Sequence, residues 1–160
     1  VSVVEERVEV RAPVRAVYDQ WTQFETFPEF MKGVDRVEQV SNTLTHWNTS
    51  IAGVEREFDA EILHQVPDER ISWTVISGPK HRGTVSFTPH GTTTRISLRI
   101  DFEPEGAAEK IGDALGLVQS RVRGDLGRFK EFIEHRGHET GGWRGEVHPA
   151  HDPTRPPKTM

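Results

Sequence analysis

Arg56 is the charge in this sequence best placed to do chemistry. It shares the two-residue period of Phe58, Ala60 and Ile62, so continued alternation turns it toward the same side as those apolar residues. An inward guanidinium, with five donors in a fixed fork, can grip a carbonyl, carboxylate or enolate oxygen. The competing reading is structural. Arg56 stands just past the Ala52-Gly53 turn, near a strand end, where its stem can lie on apolar surface while its head reaches water. His64 has the same phase at the other end of the run, and His81 has the phase of Val85 and Phe87. Either imidazole can act as a general acid or base, or sit on a rim in solvent.

No stronger constellation accompanies them. The chain holds no HExxH, no GxSxG, no Walker loop and no GxGxxG. Cysteine is absent, which removes thiol nucleophiles, disulfides and thiolate zinc sites. His135 and His138 are three apart, but the second falls past the expected end of a helix and no third ligand joins them. Neither a metal nor another cofactor is expected. Lys and Arg number 20 against 25 Asp and Glu, a net charge of −5, which argues against a nucleic-acid partner. No stretch approaches the roughly 18 consecutive apolar residues of a spanning helix. The first ten residues are charged and lack a signal-peptide core, so the expectation is a cytoplasmic protein.

The elements that must position these side chains follow from periodicity. A length of 160 residues argues for one domain. Val8 and Val10 alternate with charges in a first strand, about Val3 to Arg11. Pro13 suits a first helical turn, and Val14, Val17, Tyr18 and Trp21 follow at helical spacing. A second short helix is expected over Thr26 to Met31. From Val34 to Glu103 the period becomes two, in six strands: Val34–Val40, Leu44–Ile51, Val54–Gln65, Arg70–Ile76, Arg82–Thr88 and Thr93–Phe102. Short breaks with turn chemistry, such as Pro67-Asp68 and His90-Gly91, make them an antiparallel meander. A long helix from Ala107 to His135 carries the stripe Ile111, Leu115, Val118, Val122, Leu126, Phe129, Ile133, and Gly137 is its stop. Beyond Arg136 the Pro- and Gly-rich segment 137–160 has few apolar residues and is expected to be largely disordered. Trp143 is the residue in it that would dock back.

One apolar sheet face must cover the helix stripe, and a sheet of about seven strands has to curl to do so. The first half of the helix mixes small residues, Ala107, Ala108, Gly112 and Gly116, into the stripe. The expectation is therefore a cavity beneath that half, with walls from Trp47, Phe58, Trp73, Phe87, Leu98, Ile100, Ile111 and Leu115, and with Arg56 as its candidate polar anchor.

The order of strand, two short helices, meander and long terminal helix is similar to the helix-grip fold of the START and pollen-allergen superfamily. Ala12-Pro13-Val14, Val17-Tyr18-Asp19-Gln20-Trp21, Phe27-Pro28-Glu29-Phe30-Met31, His46-Trp47, Arg56-Glu57-Phe58-Asp59-Ala60-Glu61-Ile62, Pro67-Asp68-Glu69-Arg70-Ile71-Ser72-Trp73 and Asp125-Leu126 through Phe129-Lys130 resemble the bacterial polyketide cyclase/dehydrase group, which includes coenzyme Q-binding-like proteins. The resemblance spans about residues 3 to 136 and implies an α+β helix-grip domain over 1–136. It implies binding of a hydrophobic small molecule, a lipid, quinone or polyketide. The alternative is an enzyme, a polyketide cyclase or dehydratase working in the same cavity by shaping its substrate. A homodimer is compatible with this pattern and is not required by it.

Overall fold

The computed structural model describes residues 2–51, 54–102 and 111–148, and the side chains of Ile51, Val54 and residues 111–115 fall outside that description. The elements run β1 (Ser2–Val10), α1 (Val14–Trp21), a 3₁₀ helix (Phe24–Glu29), β2 (Val34–Gln39), β3 (Leu44–Ile51), β4 (Val54–Val66), β5 (Arg70–Ser77), β6 (His81–His90), β7 (Thr93–Phe102) and α2 (Ile111–Arg136). The second short helix is 3₁₀ and starts two residues earlier than the spacing predicts. Pro28 inside it removes a backbone donor, and short 3₁₀ turns tolerate that.

All seven strands form one antiparallel sheet in the order β1-β7-β6-β5-β4-β3-β2. The meander β2 to β7 is the expected one, and β1 closes it by pairing with β7, Val4 opposite Ile100 and Val10 opposite Thr94. The sheet curls as a half-barrel with α2 in its grip, the helix-grip arrangement. Val122, Leu126, Phe129 and Ile133 on α2 are buried along the expected stripe. Gly137 ends the helix with φ +77° and donates its N–H to Ile133 O at 3.0 Å, a left-handed cap that an L side chain would strain. Among the described residues no helix is long and apolar enough to cross a membrane.

β4 is not a uniform strand. Its pairing with β5 shifts between Asp59 and Ala60 and again between Ile62 and His64. The second shift inserts one residue, which flips every later side chain to the other face. Gln65 is therefore buried opposite Ile71, while the His64 ring meets His148, centroids 6.2 Å apart. The inward phase read for His64 is corrected by this bulge.

Glu134 pins the far end of α2 to the start of α1. Arg11 donates to it from its backbone N–H at 2.8 Å and from Nη2 at 3.1 Å, and Lys130 Nζ donates at 2.5 Å. Burial by itself would raise the carboxyl, but these donors outweigh it and hold Glu134 at about 2, against an ordinary 4.5. A carboxylate held low stabilises the fold fully above its unfolded pKa and loses that contribution as pH falls toward its folded one. Because Arg11 is largely exposed and solvent screens the pair, Glu134→Gln is expected to cost only about 1 kcal/mol at neutral pH. That cost should vanish as pH falls from about 4.5 to about 2. Chemical denaturation at a series of pH values checks it, and a cost independent of pH would refute the assignment.

Candidate functional site

Between the sheet and α2 lies a cavity of about 510 Å³, within the size range of small-molecule sites. α2 runs closest to β1 at the sheet's other edge, so the strands from β3 to β5 curl away from it and leave the space. Trp47 of β3, Phe58, Ala60 and Ile62 of β4, Ile71 and Trp73 of β5, and Leu98, Ile100 and Phe102 of β7 line the sheet side. Leu117, Val118, Arg121, Val122, Asp125 and Leu126 line the helix side, and Trp21, Phe24, Phe27 and Met31 the side toward α1.

The wall is organised as an aromatic ladder. Phe27 packs on Trp47 at 5.7 Å, Trp47 stacks on Phe58 at 5.8 Å with 9° between planes, and Phe58 meets the His81 ring edge-on at 5.0 Å. Trp47 is fixed by its indole N–H, which donates to Thr45 Oγ1 at 2.8 Å; that hydroxyl in turn donates to Ala60 O. Trp73 lies flat across β6 because its cross-strand partner is Gly83. A Cβ there would stand 2.3 Å from the Trp73 ring, so any other residue would drive the indole off the sheet.

The polar groups of the lining are few: Thr45, Thr49, Arg56, Lys80, His81, Arg121 and Asp125. Burial pushes the His81 imidazole down to about 4 from an ordinary 6.5, so near neutral pH it is uncharged and can either give or accept a proton. Asp125 is buried on α2. Burial raises its carboxyl above the usual carboxylate range, against the pull of the Arg128 guanidinium and the Lys32 N–H that donate to Oδ1. Arg128 is itself held by the Phe30 carbonyl at 2.9 Å.

Most of the residues singled out in the sequence converge here. Trp47, Phe58, Trp73, Leu98 and Ile100 line the cavity, and Arg56 lines it as an exposed residue rather than a buried one. The two readings of Arg56 thus merge: its side chain borders the cavity while remaining in contact with water. Phe87 is a correction. It is buried at the closed end, edge-on to Tyr18 at 5.4 Å and to Trp21 at 6.0 Å, and does not border the cavity. Its phase is inward as expected, but its position along β6 lies past the end of the space. The side chains of Ile111 and Leu115 lie outside the described residues, as do Ala107, Ala108 and Gly112 as sources of space. Gly116 is exposed, with open space where a Cβ would be, and is not among the residues that line the cavity. The sequence pattern places neither Arg121 nor Asp125 in the cavity, although Asp125 belongs to a stretch that carries the family resemblance. Their signal was faint: each sits one step to the side of Val118, Val122 and Leu126, in a stripe otherwise read as apolar.

The segment after α2 closes the structure behind α1. Thr140 N–H donates to Gln20 Oε1 at 2.7 Å and Trp143 N–H to Thr22 Oγ1 at 3.0 Å. Arg144 bridges Asp19 at 2.5 Å and Asp68 at 2.7 Å, its guanidinium 5.6 Å from the Tyr18 ring centre. Val147 exchanges two backbone hydrogen bonds with Gln65, both 2.9 Å. The expected disorder of 137–160 is therefore corrected over 137–148, and residues 149–160 lie outside the described residues. Composition does not reveal this docking because it rests mainly on polar contacts, with Val147 alone of its named side chains packed against the core. The contacts matter to the cavity, since they hold the chain on either side of Trp21, which lines it.

A family model described as polyketide cyclase / dehydrase and lipid transport matches residues 10–131. An uncharacterized 17.2 kDa protein from the melC2-rnhH intergenic region of Streptomyces lincolnensis is 55% identical over 148 residues, covering 91% of this chain and 99% of that protein. Among solved structures, TTHA0849 from Thermus thermophilus superposes with a TM-score of 0.76 at 22% identity, over 84% of this chain and 99% of that one. The Zhui aromatase/cyclase from Streptomyces sp. R1128 gives 0.72 at 16% identity, over 89% and 99%. A START superfamily protein from Mycobacterium smegmatis gives 0.71 at 14% identity, over 84% and 98%. At these identities the structural likenesses speak for the fold.

Proposed function

We propose that this chain, which belongs to the polyketide cyclase/dehydrase and lipid transport family, binds a hydrophobic small molecule of lipid, quinone or polyketide type in the cavity between sheet and α2. The observation that carries this reading is the aromatic ladder Phe27, Trp47, Phe58, His81 along a wall that borders about 510 Å³ of space. Only part of each ring borders that space, and a flat apolar ligand laid on the wall buries the remaining apolar area at about 25 cal/mol per Å². Trp47, Phe58, Trp73, Leu98 and Ile100 are the proposed walls and Arg56 the proposed polar contact.

A second reading, cyclisation or dehydration of a poly-β-ketone in the same space, is favoured by one specific arrangement. An uncharged imidazole at His81 and a carboxyl at Asp125 border the same cavity as the Arg56 guanidinium. Those are groups suited to moving a proton and to holding an enolate oxygen.

Titration with an uncharged environment-sensitive dye is expected to reach one dye per chain. Arg56→Met, which keeps the stem and deletes the donors, should leave that affinity unchanged. It should weaken an oxygenated ligand about 10- to 150-fold, the worth of a charge-assisted hydrogen bond. Conversion of a bound poly-β-ketone to a product lighter by one water, lost in His81→Asn, would establish the enzyme. Absence of dye binding would overturn both readings.

A further inference from the structure

The charge around the cavity is lopsided. Among the described lining residues the cations are Arg56, Lys80 and Arg121, and the one anion is Asp125. That carboxylate is already engaged by Arg128 and by the Lys32 N–H. The chain as a whole carries −5, so a cationic surplus at this place runs against the mean composition. Lys80 is exposed in the link between β5 and β6, and Arg121 is half-buried on α2. Among the described residues neither has an ion-pair partner within 4 Å, and Arg121 acts on Asp125 only from beyond that distance. Exposed Leu117 also belongs to the lining, one helical turn before Arg121, and buried Ile71 and Ile62 line it from the sheet.

A cation beside a low-dielectric cavity acts on a ligand with less screening than the same charge on open surface. A plain hydrocarbon would make no use of it. We infer that the cavity takes an amphiphile, its apolar tail on the aromatic wall and an anionic head, carboxylate or phosphate, held by Lys80 and Arg121. This rests on the reading of the cavity as a ligand site and names the class of ligand. Neutral quinones and hydrocarbons then become weaker ligands than acids of the same length.

Calorimetric titration with decanoate, decyl phosphate and 1-decanol, at near-neutral pH and below micelle formation, tests it. One or both of the anions are expected to bind about tenfold or more tightly than the alcohol, and the tighter one identifies the head. The double variant Lys80→Gln with Arg121→Gln, which keeps Arg56, should weaken the anions about tenfold or more toward the level of the alcohol while leaving the alcohol within about twofold. Lys80→Glu, a reversal at an exposed position, should act in the same direction with an unchanged melting temperature, which keeps the test valid if the double variant folds poorly. Equal wild-type affinity for alcohol and anions would overturn the inference while sparing the cavity. Binding of none of the three would overturn the cavity reading beneath it.

Discussion

Ala60→Trp is expected to fold as the wild type does and to bind an apolar probe about 70-fold more weakly. Ala60 is buried in the middle of β4, between Thr45 and Val75 on the neighbouring strands, and it lines the cavity. An indole placed there grows from a buried methyl into the cavity that Ala60 lines, so part of the usual strain of overpacking, about 1–3 kcal/mol, is expected. It removes on the order of 100 Å² of contact from a ligand, and at about 25 cal/mol per Å² that is about 2.5 kcal/mol, or roughly 70-fold in affinity. The melting temperature should fall by no more than a few degrees, because the new side chain buries apolar area of its own against that strain. The check is a dye titration beside a thermal melt. A normal melt with affinity within about threefold of wild type would mean that the probe sits elsewhere.

Ending the chain at His138 is expected to lower the melting temperature by about 5–15 °C. The largest single loss is Arg144. It leaves Asp19, whose side chain is 9% exposed, with only Arg15 at 3.8 Å for a partner. Stranding a fully buried charge costs about 3–5 kcal/mol, but Arg144 is itself 28% exposed and solvent relieves part of that, leaving roughly 2 kcal/mol. The Thr140, Trp143 and Val147 contacts expose their partners to water when cut, and together add about 1–2 kcal/mol. For a chain of this size each kcal/mol moves the melting temperature by about 2–4 °C. A cut after Gly145 spares the Arg144 bridge but severs the Val147 pairing, so a smaller loss is expected. Arg144→Met isolates the guanidinium, and adding Asp19→Asn should recover part of the loss, because the stranded charge is then gone. A truncated protein that melts within a degree or two of wild type would show these contacts to be neutral in sum. Dye affinity should fall with truncation as well, through the loosened α1.

Sequence alone determined the frame. Alternation with short turns sets seven strands and their hairpin order, since each two-residue period assigns a face and each short link leaves only an antiparallel neighbour. The stripe from Val118 to Ile133 fixes the face of α2 in the same way, and Gly137 its end. Five of the wall residues, from Trp47 to Ile100, were legible because a buried face must be continuous in phase. Depth along the strand was not legible. Phe87 and Phe58 share an inward phase, yet one closes the core against Tyr18 and the other faces space, because alternation reports a face and not a distance from the end of a curled sheet. A bulge of one residue exchanged the roles of His64 and Gln65, and no local pattern announces a bulge. Asp125 and Arg121 became part of the cavity only because β3 to β5 curl away from that side of the helix and leave it facing space. Arg144 meets partners 125 and 76 residues away in sequence. Charge pairing over such separations carries no period to read, so only the tertiary structure decided that the segment 137–148 belongs to the fold.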